Sequence, residues 1–156
     1  MENWRKGCYL WVGIALLTGL LSGLLSMESM VLFREMVNQP PLAPPAVVFP
    51  VVWTVLYALM GYGAARICRL KDSPQKSVAL NLFVTQLIVN FFWSLIFFNL
   101  QRYGFAFFWL LLLWGLVFLM IISFSRVDRT AALLQIPYLI WLTFAAYLSA
   151  GIWVLN

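Results

Sequence analysis

The chain has 156 residues, of which 64% are hydrophobic and 10% charged, with a formal net charge of +5 and a mean hydropathy of +0.94. An average soluble domain carries about one-quarter charged residues, so a water-soluble fold is excluded for want of polar surface to cover the apolar bulk. With no histidine and only two cysteines, Cys8 and Cys68, the sequence offers no zinc ligand set, and the length leaves hardly any chain for a soluble module beside one membrane domain over 1–156.

The amino terminus, Met1-Glu2-Asn3-Trp4-Arg5-Lys6, precedes an apolar run over about 8–27. This run is about twice the length of a signal-peptide core and no small-residue cleavage site follows it, so it reads as a retained first helix. Residues 28–46 then form the single long loop, because Pro40, Pro41, Pro44 and Pro45 forbid a regular helix through it. Four more apolar segments follow at about 47–69, 79–100, 103–125 and 131–154. Each is long enough to cross a hydrocarbon core of roughly 30 Å at about 1.5 Å per residue. The separators 70–78, Gln101-Arg102 and 125–130 are short, which makes consecutive helices antiparallel neighbours. The expected fold class is an all-α, multi-pass, five-helix membrane bundle.

With five spans, the amino terminus and the second and fourth loops share one face. That face holds Arg5, Lys6, Arg66, Arg69, Lys71, Lys76, Arg126 and Arg129, against Arg34 and Arg102 on the other. The positive-inside rule therefore makes the amino terminus cytoplasmic and sets the Pro-rich loop outside. Basic residues so distributed serve lipid topology, and no nucleic-acid partner is expected. Both cysteines fall near the cytoplasmic face, where they read as reduced, non-functional thiols.

The spans contain no Asp, Glu, His or Lys, and Arg66, Arg69 and Arg102 sit at span ends from which they snorkel. Proton-coupled carriage and acid–base or nucleophilic hydrolysis thus lack a candidate group. What the spans do carry is neutral polar and aromatic residues at four-residue spacing: Thr18, Ser22 and Ser26; Trp53, Tyr57 and Gly61; Gln86, Asn90 and Ser94; Pro137, Trp141, Ala145 and Ser149. Each series marks one helix face. The fourth span has no such stripe, only Phe107, Phe108, Trp109 and Trp114 among leucines, and is expected to face lipid more than the others. Under the derived topology the stripes converge in the outer half of the bilayer, beneath the Pro-rich loop acting as a lid over an apolar pocket. Two alternatives stay open: Gln86 and Asn90 as interhelical hydrogen-bond glue, and Gly19, Gly23, Ala146 and Ala150 as packing contacts or a dimer seam. Trp4, Trp11, Trp109 and Trp153 read as interfacial anchors.

The stretch PPLAPPAVVFPVVWTVLYALMGYGAA (Pro40 to Ala65) resembles the tryptophan-rich sensory protein/translocator protein family, also called the peripheral-type benzodiazepine receptor family. Gln86-x3-Asn90-x2-Trp93, Phe97-Phe98-Asn99 and Pro137-Tyr138-Leu139-x-Trp141-x2-Phe144-Ala145 fit the same pattern in order, so the resemblance covers essentially the whole chain. It implies a five-helix bundle, a homodimer, that binds porphyrins and drug-like aromatic ligands below the first loop, in a bacterial cell membrane. Matching positions make Pro45, Phe49, Trp53, Tyr57, Asn90, Trp93, Trp141 and Ala145 pocket-lining. The resemblance further implies light-dependent degradation of protoporphyrin IX with Trp53 and Trp141 as the catalytic residues, since an indole can reduce a photo-excited porphyrin without an acid–base group. No resident cofactor or metal is expected; a small-molecule transporter of porphyrin or lipid is the alternative. Leu42 and Val47 stand where the family often has tryptophan, a departure that bears on the lid contacts; no basic residue follows Tyr147, so sterol recognition is not expected.

Overall fold

In hydrocarbon a chain must satisfy its own backbone N–H and C=O groups, which favours helices over each apolar segment. The computed structural model describes residues 7–156; Trp4, Arg5 and Lys6, used above for anchoring and charge, lie outside the described residues. The helices are α1 (Leu10–Met36), α2 (Val48–Cys68), α3 (Pro74–Ser94) continued by a π-helical segment (Leu95–Asn99), α4 (Tyr103–Ser125), α5 (Arg129–Leu133) and α6 (Ile136–Leu155). Five stretches are long and apolar enough to cross a membrane: α1, α2, α3 with its π segment, α4, and α5 with α6. No strand occurs among the described residues, so the expected all-α five-span architecture is the fold.

The first loop is shorter than the sequence suggested. α1 continues to Met36, and the non-helical segment is 37–47 rather than 28–46. Residues 28–36 contain no breaker, and buried Phe33 docks against Phe97, Phe98 and Tyr103 at ring-centroid distances of 5.4, 5.3 and 6.1 Å. α3 starts ahead of its apolar run because Ser73 Oγ accepts from the Lys76 N–H at 3.1 Å and Pro74 occupies the first turn, where its missing N–H has no helical partner to lose. The fifth span breaks at 134–135, just before Pro137 enters the first turn of α6.

Around the bundle α2 packs on α1, α1 on α3, α3 on α4, and α4 on α6; between α6 and α2 the ring closes mainly through α5. That closure is tight but local. A Cβ on Gly63 would collide with the Gln135 amide, whose Nε2 donates to Ala131 O (3.2 Å) and Leu59 O (3.4 Å). One turn further on, Arg66 pairs with Asp128 at 2.8 Å, while the other oxygen of Asp128 caps α5 by accepting from the N–H groups of Thr130 (2.8 Å) and Ala131 (3.2 Å).

The least buried span is α1, less buried than α4, so the fourth span is not, as the sequence suggested, the most exposed of the five. α4 lies between α3 and α6, and its tryptophans stitch the neighbours: Trp109 Nε1 donates to Val89 O at 2.8 Å and Trp114 Nε1 to Thr143 Oγ1 at 2.9 Å. Trp109 is therefore an interhelical contact as well as an aromatic near the span end. α1 in turn comes close to α2 at Gly61, where an added Cβ would lie 2.5 Å from Val12 Cα and 2.9 Å from Trp11 O. Neither backbone atom can rotate away.

Gly61→Ala should accordingly displace α1 and lower the thermal unfolding midpoint in detergent, at the overpacking cost of about 1–3 kcal/mol. Gly115→Ala, which meets nothing within 4 Å, should leave the midpoint level or raise it slightly, because alanine is the better helix former. Equal losses for the two variants would contradict this placement of α1.

Candidate functional site

Four neutral polar side chains from three helices meet in the middle of the bundle. Tyr57 on α2 donates from its hydroxyl to Asn90 Oδ1 (3.2 Å); Asn90 Nδ2 on α3 donates to the Tyr138 hydroxyl oxygen (2.6 Å); Tyr138 on α6 donates to Gln86 Oε1 (3.0 Å). Gln86 Nε2 completes the run on Met60 Sδ at 3.5 Å. All four polar residues are buried, Gln86 completely. Each hydroxyl and amide is thus satisfied within the protein, as a low-dielectric interior demands.

The register that creates this ladder is the ordinary helical alternation of three and four. On α3 Ala79, Phe83, Gln86, Asn90 and Trp93 are buried, and on α6 Tyr138, Leu142, Ala145, Ser149 and Ile152. Strict four-residue counting along α6 starts from Pro137, which is exposed, and passes over Tyr138. Tyr138 is nonetheless the hub. The signal that finds it is the buried 4, 3, 4, 3 spacing it shares with Ala145 and Ser149.

Above the ladder lies a strip of aromatic rings. Trp53 contacts Tyr57 (centroids 5.6 Å), Tyr138 (6.1 Å, edge-on) and Trp141 (6.5 Å, planes at 88°). Trp141 contacts Phe49 (5.9 Å) and Phe144 (5.6 Å), and Phe144 stacks on Tyr147 (6.3 Å). The Trp141 Nε1 is buried without a hydrogen-bond partner, as are Trp93 Nε1 and Ser149 Oγ.

Because α2 and α6 meet little on the loop side of Leu59, a groove of about 700 Å³ opens between them. It is lined by Val51, Val55 and Leu59 from α2 and Ile140, Trp141 and Phe144 from α6, almost wholly apolar. Segment 37–47 crosses to the end of α6 and is fastened there at three points. Pro40 sits on Gly151, the Tyr147 hydroxyl donates to Pro41 O (2.9 Å), and the Asn156 side chain bonds both the N–H and the C=O of Asn38 (3.0 Å each). Pro40 to Ala43 form a turn closed by Ala43 N–H on Pro40 O (3.3 Å), with Leu42 at φ 69°, the left-handed position for which type II turns favour glycine.

The structure brings Phe49, Trp53, Tyr57, Asn90 and Trp141 of the expected site together. Asn90 takes part as framework, since both ends of its amide are bonded to tyrosines. Trp93 belongs to a second aromatic cluster, stacked on Phe97 (5.2 Å) and edge-on to Phe98. Ala145 is buried on α6, whereas Pro45 is exposed and contributes its C=O to the Val48 N–H at the start of α2. Gly19, one of the small residues of α1, is committed within the chain, as a Cβ there would fall on the Tyr57 ring; Gly23 has open space around it. Among the described residues no group of three or more acidic or cysteine side chains could hold a metal ion.

Comparison with known proteins points in one direction. Residues 11–154 match the model of the TspO/MBR family. The chain is 37% identical over 123 residues to Protein CrtK of Rhodobacter capsulatus, covering 78% of this chain and 77% of that protein. It is 32% identical over 148 residues to the tryptophan-rich protein TspO of Chlorobaculum tepidum, 94% of each. Similarity extends to the translocator protein of Ovis aries, at 36% identity over 118 residues, 74% of this chain and 70% of that protein.

Removing the hub tests the ladder. Tyr138→Phe deletes the acceptor of Asn90 and the donor of Gln86 while keeping the ring. Interhelical hydrogen bonds in membrane proteins average about 0.6 kcal/mol and reach about 1.7, so a loss of about 1–2 kcal/mol is expected in denaturing-detergent unfolding. A double-mutant cycle with Asn90→Ala should be non-additive, because both changes break the same bond; additivity would mean that the two side chains do not interact.

Proposed function

Since the chain belongs to the TspO/MBR family, whose membership supports a ligand-binding or transport-type role in the membrane, we propose that it is a multi-pass receptor of a bacterial membrane for porphyrins, protoporphyrin IX among them, and other hydrophobic aromatic ligands. The observation that carries this reading is the exposed edge of the aromatic strip: Trp141 and Phe144 face the α2–α6 groove, and Trp53 backs Trp141 at 6.5 Å. A volume of about 700 Å³ lies inside the usual range of small-molecule sites, roughly 300–1,000 Å³. A flat aromatic ligand gains stacking there. Within this proposal the basic end faces the cytoplasm, the lid faces outward, and the protein works as a homodimer.

The pairing of two indoles favours a second, compatible activity. Trp53 and Trp141 are in ring contact, so an electron vacancy left by reduction of a photo-excited porphyrin can be shared between them. Light-dependent porphyrin degradation needs no acid–base group, and the strip holds tryptophan, tyrosine and phenylalanine without a carboxylate, lysine or histidine. The transporter alternative is weaker on one observation: Gly63–Gln135 and Arg66–Asp128 close the α2–α6 gap at the basic end, so the groove does not run the length of the bundle.

Titrating protoporphyrin IX into the purified protein should quench tryptophan fluorescence saturably, and Trp53→Phe with Trp141→Phe should raise Kd about tenfold, as expected for aromatic contacts worth about 0.5–1.5 kcal/mol each. An unchanged Kd in the double variant would remove the ligand from this site. Under illumination the bound porphyrin's absorbance should decay faster than in empty micelles and fall back to the micelle rate in the double variant. Identical decay with and without protein would sink the degradation reading and leave the receptor reading standing.

A further inference from the structure

At the basic end of the bundle two segments distant in sequence come together. Cys8 precedes α1, Cys68 is the last residue of α2, and the two side chains lie close enough to interact. Neighbouring residues confirm the juxtaposition: the Arg69 guanidinium lies 4.1 Å over the Tyr9 ring, and the Gly61 contact holds the backbones of α1 and α2 together nearby. Cys8 is 1% exposed, whereas Cys68 is half-buried. Arg69 and Lys76 act on Cys8, but burial outweighs them and pushes its thiol up to about 11. Arg69 has its Nε and one Nη buried without a hydrogen-bond acceptor, and Lys76 is anchored on Leu70 O (2.9 Å) and Asp72 Oδ1 (2.8 Å).

This is the arrangement of a redox couple, and the sequence reading of two inert thiols does not account for it. The buried Cys8 thiol keeps its proton, so the more exposed Cys68 is the sulfur that an oxidant meets first. One sulfur has access to the surface and the other waits behind it in contact. We propose that Cys8 and Cys68 are a reversible oxidative modification site, a dithiol that hydrogen peroxide converts to an intrachain disulfide tying the start of α1 to the end of α2.

The steps balance as follows. The Cys68 thiolate attacks one peroxide oxygen, the O–O bond breaks, and the leaving hydroxide takes up a proton, giving a sulfenic acid and one water. The Cys8 sulfur then attacks the Cys68 sulfur; the S–S bond forms, the S–O bond breaks, and the hydroxyl leaves as a second water with the Cys8 proton. Overall two thiols lose two electrons and two protons, and peroxide is reduced to two waters. In a reducing compartment such a bond is transient, as sensing disulfides are.

The bond has a route to the rest of the fold. α1 is the least buried span, and its Gly19 supports the ring of Tyr57, whose hydroxyl opens the buried ladder. Fixing α1 to α2 at one end therefore restrains the seam against which Tyr57 rests.

The test uses the full chain in detergent micelles, exposed to hydrogen peroxide, alkylated with a maleimide reagent and mapped by mass spectrometry. The expected result is joint loss of both thiols in monomeric protein, a mass decrease of two hydrogens, a peptide pair linking Cys8 to Cys68, and recovery with dithiothreitol. Cys8→Ser should instead accumulate a Cys68 sulfenic acid that dimedone traps. Both thiols still alkylated after peroxide, oxidation of wild type that stops at Cys68 with Cys8 free, or disulfides between chains only would each overturn the proposal. The wild-type mapping decides the matter even if the variant does not fold.

Discussion

A hydrogen bond made by a neutral side chain inside hydrocarbon has no water to fall back on, and the bundle is organised around one short series of them. Tyr57, Asn90, Tyr138 and Gln86 link α2, α3 and α6 through hydroxyls and amides arranged donor to acceptor. None is charged, so burial costs only the desolvation that the bonds offset. Three helices thereby acquire a fixed rotation about their axes, which is what turns Trp53 and Trp141 toward each other. The ladder is framework, and the aromatic strip above it is the surface left to meet a ligand.

The groove follows from how unevenly the ring of helices closes. Glycine at 63 lets the Gln135 side chain seat against α2, and Asp128 at once caps α5 and pairs with Arg66. Toward the loop α2 and α6 meet through the rings of Phe49, Trp53, Tyr138 and Trp141, and the groove beside them is lined by Val, Leu, Ile, Pro, Trp and Phe. The Pro-rich segment is fastened to the end of α6 through Asn38, Pro40 and Pro41. Groove and indole pair thus depend on the same two helices.

Much of this was legible in the sequence, for identifiable reasons. Hydropathy and the prolines at 40–45 revealed the number of spans and the existence of one long connection, and the series Gln86, Asn90 and Trp53, Tyr57 marked interior faces. The end of α1 was not, since what holds Met36 in a helix is the packing of Phe33 on Phe97, Phe98 and Tyr103, a contact across more than sixty residues. Tyr138 escaped because counting by fours drifts off the buried face within two turns. The aromatic richness of α4 suggested a lipid-facing surface, but two of its indoles carry N–H groups that bond to α3 and α6. Trp93 was grouped with the site by the family pattern Gln86-x3-Asn90-x2-Trp93, whereas its ring stacks into the neighbouring phenylalanine cluster.

The central claim is that an aromatic ligand enters the α2–α6 groove and rests on the indoles that the buried ladder holds in place. An experimental structure of the protein in lipid with protoporphyrin IX bound tests it most directly. The account predicts the macrocycle between α2 and α6, in contact with Trp141 and Phe144 and backed by Trp53. A porphyrin seated elsewhere, against the Phe33, Trp93 and Phe97 cluster or on the outer face of α1, would contradict it.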